Sequence, residues 1–116
     1  MVRDALEFGN LLDDLPDASG TEILDTLLAR KGLRVERIVS HGQATPEGEW
    51  YDQDEDEWVL VLAGNTEILM ESETSPRRLS AGDFLFLPAR CRHRVTRTAP
   101  DEPTVWLAVH MEPVTQ

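Results

Sequence analysis

The distribution of apolar residues changes character at residue 33. From there onward, short apolar runs of strand length are separated by turn residues such as Gly64-Asn65 and Pro100-Asp101. Many short strands without intervening helices are typical of a β-sandwich or a β-barrel, so we predict an all-β fold. The predicted strands span residues 33–40, 57–62, 66–71, 83–87, 92–98 and 104–111.

Before these strands, the pattern predicts a helix over residues 20–31. Ser19 and Glu22 have the spacing of a capping box, in which the hydroxyl and the carboxylate satisfy free backbone donors at a helix start. Gly32 follows as a helix stop. The apolar face of this helix would consist of Ile23, Leu24, Leu27 and Leu28. We expect the helix to be a lid or a packing element on the barrel.

The chain has the size of one domain. It contains 116 residues, of which 41% are hydrophobic, and this is enough for one modest core. We predict an N-terminal helical segment over residues 1–32 and a β-barrel domain over residues 33–116. The sequence shows no internal repeat and no linker to a second domain.

Two of the predicted strands are apolar on both faces, at residues 59–62 and 84–87. A strand with one buried face should instead alternate apolar and polar residues. One face is expected to fill the barrel, and the other to be covered by the helix, by another strand or by a second subunit. We therefore expect a homodimer.

The charge balance and the cysteine count limit the partners and the compartment. With 11 basic and 22 acidic residues, the formal net charge is −11. Such a surface repels phosphate backbones and anionic lipid, so neither nucleic acid nor a membrane is expected as a partner. The sequence has no apolar run of membrane-spanning length, and residues 1–4 lack the pattern of a signal peptide. Cys91 is the single cysteine, which fits a reducing compartment, and we expect a cytoplasmic protein.

Two segments carry candidate metal ligands at a fixed spacing. Six residues separate a glutamate from a glycine, and five residues separate a second glycine from a proline, with a histidine five positions after the proline. These residues are Glu57, Gly64, Gly82, Pro88 and His93. In order and spacing they resemble the two motifs of the cupin superfamily, in its small single-domain form with a degenerate first motif. The resemblance implies a cupin barrel, a double-stranded β-helix or jelly roll, over roughly residues 33–111.

The motifs depart from those of metal-bearing cupins at four positions. In such proteins the first motif has two histidines separated by one residue, and the glutamate follows four positions after the second. Here Tyr51 and Gln53 occupy the two histidine positions. In the second motif, Arg90 and Arg97 stand where glycine and asparagine are usual.

The resemblance implies that a divalent metal, if one is bound, would be held by Gln53, Glu57 and His93. Gln53 can offer a carbonyl oxygen, whereas Tyr51 is a poor ligand while its phenol stays protonated below its ordinary pKa of about 10. Two interpretations remain open. The site is a reduced but working metal site, or it is a metal-free pocket in which these side chains hydrogen-bond one another or a ligand.

An acidic run precedes the first motif strand. Asp52, Asp54 and Asp56 match the first three ligand positions of a calcium loop, but Glu57 and Ala63 stand where the loop needs a glycine and a closing glutamate. A solvated acidic turn is therefore the favoured interpretation.

Other side chains near His93 are candidates for the same pocket. By strand alternation His93 and Arg97 share a face, so Arg97 can reach the barrel mouth and bind an anionic substrate, or it can pair with surface acids. His110 would supply a second imidazole if it pointed inward, whereas a surface or packed position is the alternative. Cys91, two residues before His93, could be a nucleophile, but packing is the favoured role.

Three hypotheses about function follow. The leading one is a protein that binds a small polar or anionic molecule in a pocket around Tyr51, Gln53, Glu57 and His93, with Arg97 as a further contact. The alternative is a metal-dependent enzyme of the oxygenase or isomerase type, with Glu57 and His93 as ligands. The third is a non-catalytic interaction protein that keeps the barrel for stability. The sequence leaves open whether the protein is an enzyme.

Overall fold

The computed structural model describes residues 5–114, and this part of the chain consists of eight β-strands without a helix. In chain order the strands are β1 Ile23–Arg30, β2 Leu33–Ser40, β3 Asp56–Ala63, β4 Asn65–Met70, β5 Arg77–Ser80, β6 Phe84–Leu87, β7 His93–Thr98 and β8 Thr104–Met111. They form a five-stranded sheet, β1-β2-β8-β3-β6, and a three-stranded sheet, β5-β4-β7. The predicted all-β fold is confirmed. Over residues 5–114 there is no helix that could cross a membrane.

All six predicted strands are present, with bounds within one residue of the prediction. Strand β5 was not predicted, because its sequence, Arg-Arg-Leu-Ser, has one apolar residue and three polar ones. Leu79 alone among these four is buried, and its side chain faces the core while β5 pairs with β4.

The predicted helix over residues 20–31 is wrong, because Ile23–Arg30 forms β1, antiparallel to β2. A two-residue turn joins the strands, and Gly32 in this turn has φ +76°. A bulge between Thr26 and Leu28 shifts the register by one residue. Leu24 and Leu28 therefore lie on opposite faces of the strand, although their spacing also fits one face of a helix. Within the described part of the predicted N-terminal segment, residues 5–32, there is no helix, and the last part belongs to the larger sheet.

The two capping-box residues have other partners in the structure. The backbone N–H of Ser19 donates to the side chain of Asp17 at 2.9 Å, which forms a local turn. The carboxylate of Glu22 accepts a hydrogen bond from the hydroxyl of Ser40 at 2.8 Å, across the β1–β2 pair. The pattern of a helix start is present in the sequence, but in the structure Ser19 belongs to a local turn and the Glu22 side chain binds Ser40 on the neighbouring strand.

The core lies between the inner faces of the two sheets. Its buried apolar side chains are Val59, Val61, Ile68, Met70, Leu79, Leu87, Trp106 and Ala108. Gly64 makes the tight turn from β3 to β4 with φ +80°, and a Cβ at this position would lie 2.5 Å from Oγ1 of Thr104. Only glycine fits there without a shift of the neighbouring backbone.

The outer face of the five-stranded sheet is also apolar. Trp58 lies opposite Phe86 and Val109, and Leu60 lies opposite Phe84 and Leu107, all on the side away from the core. Phe84 is 64% exposed and Phe86 is 49% exposed. Because residues 5–114 contain no helix, the predicted helical cover for this face is absent from the described chain.

Candidate functional site

A cavity of about 290 Å³ opens between the two sheets. Its apolar lining consists of Leu24, Ile38, Val59, Ile68, Leu87, Val95 and Trp106. Its polar lining consists of Glu22, Arg34, Glu36, Tyr51, Gln53, Glu57, His93 and His110. The polar residues come from five different parts of the chain, and the antiparallel pairing of the strands brings them together. Four of them, Tyr51, Gln53, Glu57 and His93, are residues that the sequence predicted for the pocket.

Glu57 lies at the centre of the polar group. It is 8% exposed, and one of its carboxylate oxygens accepts a hydrogen bond from the side-chain amide of Gln53 at 3.0 Å. Nε2 of His93 is 3.8 Å from this oxygen, and Nε2 of His110 is 3.9 Å from the other oxygen. The carboxylate is therefore flanked by two imidazoles, one from β7 and one from β8.

His93 is held in one orientation by its surroundings. Its Nδ1 is 2.8 Å from the carbonyl oxygen of Cys91, which can only accept, so Nδ1 carries the hydrogen and Nε2 faces Glu57. The backbone groups of Tyr51 and His93 pair with each other, and the two rings stack with centroids 5.5 Å apart. The orientation of the His93 ring therefore depends on β7, which carries it, and on the segment before β3, which contains Tyr51.

Tyr51 stands at the rim of the cavity and is half-exposed. Partial burial, and then the negative charge of Glu22, raise the pKa of the Tyr51 phenol above its ordinary value. The phenol is therefore protonated at neutral pH, and it can donate a hydrogen bond to a ligand.

A second acid–imidazole pair lies in the same cavity. Nε2 of His110 is 3.0 Å from a carboxylate oxygen of Glu36, and Nε of Arg34 is 3.3 Å from the other oxygen. A carboxylate of this kind accepts hydrogen bonds, so Nε2 of His110 carries the hydrogen. Nδ1 of His110 is buried without a hydrogen-bond partner among the described residues. The inward position of His110 was one of two alternatives in the sequence, and the structure selects it.

Sequence reasoning missed Glu22, Arg34 and Glu36. In β2 the residues Leu33 and Val35 are apolar, so a pattern-based assignment turns them toward the core and turns Arg34 and Glu36 toward solvent. The structure has the reverse orientation, because Arg34 and Glu36 line the cavity. One signal could have found them. Residues 59–62 and 84–87 are apolar on both faces, which indicates a covered outer sheet face. Such a face can take Leu33 and Val35, and this leaves Arg34 and Glu36 on the cavity side.

Arg97 does not line the cavity. Its guanidinium donates to the side-chain oxygen of Asn65 at 2.6 Å. The pairing of β4 with β7 shifts register between Glu67 and Ile68, which leaves Thr96 as an extra residue in β7. This bulge breaks the alternation that put Arg97 on the face of His93, and it turns Arg97 outward.

The acidic run before β3 contacts its protein surroundings. Asp52 pairs with Arg90 at 3.1 Å, and Asp56 accepts a hydrogen bond from the backbone of Ala89 at 2.7 Å. These contacts tie the entry to β3 to the turn after β6. Cys91 is partly buried and packs against the core cluster.

The donor set does not form a metal centre as it is arranged. Among the residues that the structure describes, no group of three or more His, Cys, Asp or Glu side chains is placed to hold a metal ion. The two imidazoles lie 3.8 and 3.9 Å from the Glu57 carboxylate, and Nε2 of His110 is already bonded to Glu36. In this arrangement the described residues bring His93 and Glu57 together but supply no free third ligand of these types, since His110 is bonded to Glu36. The predicted ligand set, Gln53, Glu57 and His93, is brought together, and its binding of a metal stays a prediction.

Comparisons with known proteins agree with the architecture. The family model of the cupin domain matches residues 36–110. A proposed mannose-6-phosphate isomerase from Ralstonia eutropha JMP134 has a similar structure, with 52% identity, a TM-score of 0.90, and coverage of 92% of this chain and 99% of that one. No curated protein matches the chain.

More distant structures share the fold alone. A cupin superfamily protein from Desulfitobacterium hafniense DCB-2 is 14% identical with a TM-score of 0.74, and the alignment covers 93% of this chain and 94% of that one. An RmlC-like cupin with a double-stranded β-helix fold from Methanocaldococcus jannaschii is 14% identical with a TM-score of 0.69, over 97% and 93% of the two chains. The double-stranded β-helix predicted from the two motifs is confirmed.

Proposed function

Because the chain belongs to the cupin family, whose fold hosts many unrelated functions, we propose a function from the chain's own cavity: the protein binds a small polar molecule between its two sheets. The observation that carries this proposal is the convergence of polar side chains on one cavity with apolar walls. Ligand sites commonly combine an apolar lining with a few placed polar groups. A volume of about 290 Å³ is near the lower end for such sites and suits a molecule of metabolite size.

The polar groups have capacity for a ligand. Glu57 accepts from Gln53, but a carboxylate has about four acceptor positions, so further donors can bind it. Tyr51 can donate from the rim of the cavity. The proposed isomerase from Ralstonia eutropha, 52% identical over nearly the full length of both chains, is named for mannose 6-phosphate, a hydroxylated and phosphorylated sugar, so both neutral and phosphorylated sugars are candidate ligands for this chain.

Binding measurements with matched variants test this proposal. Titration calorimetry would use a panel of sugars, sugar phosphates, hydroxy acids and amines. Glu57→Gln is expected to weaken binding of any hit by about tenfold or more, because it removes a buried charged acceptor. Glu67→Gln on β4 is the control, since Glu67 does not line the cavity. Equal affinities of the Glu57 and Glu67 variants would overturn the proposal, as would a panel without any hit.

A metal-dependent enzyme is the second candidate. The observation in its favour is the orientation of His93, whose Nδ1 is tethered to a backbone carbonyl and whose Nε2 faces Glu57. Histidines that bind metals usually have their second nitrogen held in this way. Metal analysis of protein purified without a histidine tag separates the candidates. A stoichiometric transition metal that is lost in His93→Ala would favour the enzyme, and an apo protein that resists loading with Fe²⁺, Mn²⁺, Zn²⁺ or Ni²⁺ would argue against it.

A further inference from the structure

The charged side chains around the cavity do not favour a phosphate group, because carboxylates are at least as numerous as positive groups. Among the described residues that line it, three are carboxylates, Glu22, Glu36 and Glu57, and one is a guanidinium, Arg34. The remaining titratable groups that can carry positive charge are the imidazoles of His93 and His110. Even with both imidazoles protonated, the positive groups only equal the carboxylates in number, so no positive charge is left over for an anionic ligand.

Each positive group in the cavity is also directed at a carboxylate of the protein. Arg34 contacts Glu36 at 3.3 Å and Glu55 at 3.4 Å. Nε2 of His110 lies 3.0 Å from Glu36, and Nε2 of His93 faces Glu57. A phosphate group would have to displace these contacts and would meet the carboxylates at short range, where repulsion between like charges is strong.

The carboxylates, in contrast, retain acceptor capacity. Glu22 accepts from the hydroxyl of Ser40, Glu57 accepts from the amide of Gln53, and Glu36 is contacted by Arg34 and His110. Each carboxylate has about four acceptor positions, so a ligand that brings several donors can satisfy the rest. An ammonium group presents its donors from a single nitrogen atom, whereas a molecule with several hydroxyl groups presents donors at several points of the cavity.

From this arrangement we infer that the ligand is an uncharged polyhydroxy compound of monosaccharide size, and that the Glu36–His110 pair sets the preference against phosphorylated forms. This inference rests on the proposed binding function and adds its ligand class. The apolar wall and the rings of Trp106 and Tyr51 suit the C–H faces of such a molecule. Glu36 is a specificity residue, since its carboxylate holds both Arg34 and His110 and keeps them from an anionic ligand.

The test compares neutral sugars and alditols of five and six carbons with the phosphate monoesters of the same compounds, with butylamine as a cationic probe. Calorimetry is expected to show phosphate esters binding at least tenfold more weakly than their neutral parents. Glu36→Gln removes one negative charge and weakens the contacts that hold Arg34 and His110, so the ratio of the neutral-sugar affinity to the phosphate-ester affinity should shrink about tenfold. Glu22→Gln is the matched control, because the partner of Glu22 is the neutral hydroxyl of Ser40. It removes the same charge without loosening Arg34 or His110, so the affinity ratio should shrink clearly less than in Glu36→Gln.

The outcomes distinguish failure of the inferred ligand class from failure of the proposed binding function. Phosphates binding more tightly than neutral parents, or an unchanged ratio in Glu36→Gln when melting curves show a folded protein, would overturn the inference. Binding of butylamine or hydroxy acids alone would overturn the inference and leave the proposed function standing. A panel without any binder would overturn both. Repeating the wild-type comparison in 0.5 M NaCl separates the effect of the cavity from that of the overall charge, since salt screens distant surface charges far more than buried ones.

Discussion

Tyr51 is the single tyrosine of the chain, and its ring stacks on His93 at the rim of the cavity. At the scale of single residues, the site consists of side chains that are each oriented by their own polar partner. His93 is fixed by a backbone carbonyl, Glu57 by Gln53, and Glu36 by Arg34 and His110. Because the partners are polar groups of known donor and acceptor type, the contacts place the ring hydrogen on Nδ1 in His93 and on Nε2 in His110.

Titration of Tyr51 checks the environment at the rim. Burial and the charge of Glu22 raise the pKa of the phenol, so the tyrosinate absorbance near 295 nm should rise at a higher pH in the folded protein than in the unfolded chain. The neutral phenol is favoured in the folded state, so any stability that this shift contributes is present below pH 10 and is lost as the pH rises through the folded pKa. A folded midpoint at or below the unfolded one would contradict the description of this site.

Glycine at position 64 is required by the fold. Gly64→Ala places a Cβ 2.5 Å from Oγ1 of Thr104 at φ +80°, and we expect a loss of about 3 kcal/mol or more in the free energy of unfolding. Gly48→Ala is the control, with φ +86° and no atom within 4 Å of the new Cβ, and it should cost only about 1 kcal/mol. Denaturant unfolding measures both, and equal losses would show that the contact with Thr104 is unimportant.

At the scale of the strands, two bulges decide which side chains reach the cavity. The bulge in β1, between Thr26 and Leu28, places Leu24 on the cavity wall and Leu28 on the opposite face. The bulge in β7, at Thr96, turns Arg97 away from His93. Simple alternation predicts neither orientation, because a bulge depends on how the partner strand pairs and leaves no clear mark in the sequence.

The assignment of residues 23–30 as a strand is tested by the pair Asp25–Arg37. The two residues lie opposite each other in the β1–β2 register, and their charged groups are 2.6 Å apart. A double-mutant cycle with Asp25→Asn and Arg37→Gln should give a coupling energy of about 0.5 kcal/mol, as expected for a partly exposed cross-strand pair. The same cycle between Asp25 and Arg92, which directly precedes β7 of the other sheet, should give no coupling. Coupling near zero for Asp25 and Arg37 would contradict the β1–β2 pairing.

At the scale of the whole molecule, the apolar outer face of the five-stranded sheet needs a cover. Trp58 and Phe84 stack on this face with centroids 5.8 Å apart, and Phe84 and Phe86 are largely exposed. Large exposed apolar patches on soluble proteins mark association surfaces. The helix that would have covered the face is not present among residues 5–114, so a second copy of the chain is the cover that we propose.

Sedimentation equilibrium tests the assembly. The wild-type protein is expected to sediment as a dimer, and Phe86→Glu is expected to shift it to a monomer, because a buried unpaired carboxylate in the interface is costly. Val114→Glu is the control, since Val114 is 85% exposed and lies beyond β8. A monomeric wild-type protein at micromolar concentration would contradict the proposal.

The site could be predicted from the sequence only in part. Tyr51, Gln53, Glu57 and His93 were found because the two motifs resemble those of cupins, in which these positions meet inside the barrel. The pairing of Glu36 with His110 could not be predicted, since the two residues lie 74 positions apart and meet only through the pairing of β2 with β8.

The sequence by itself determined the β-class of residues 33–111, the bounds of six strands within one residue, and the proximity of Glu57 to His93. The first two features follow from strand length and turn residues, which act over a few residues, and the third is what the resemblance of the two motifs to those of cupins implied. The tertiary structure alone decided that residues 23–30 form a strand, that Arg97 points away, and that Glu36 and His110 face the cavity. The physical reason is that the facing of a side chain depends on register and bulges, and these are set by the partner strand.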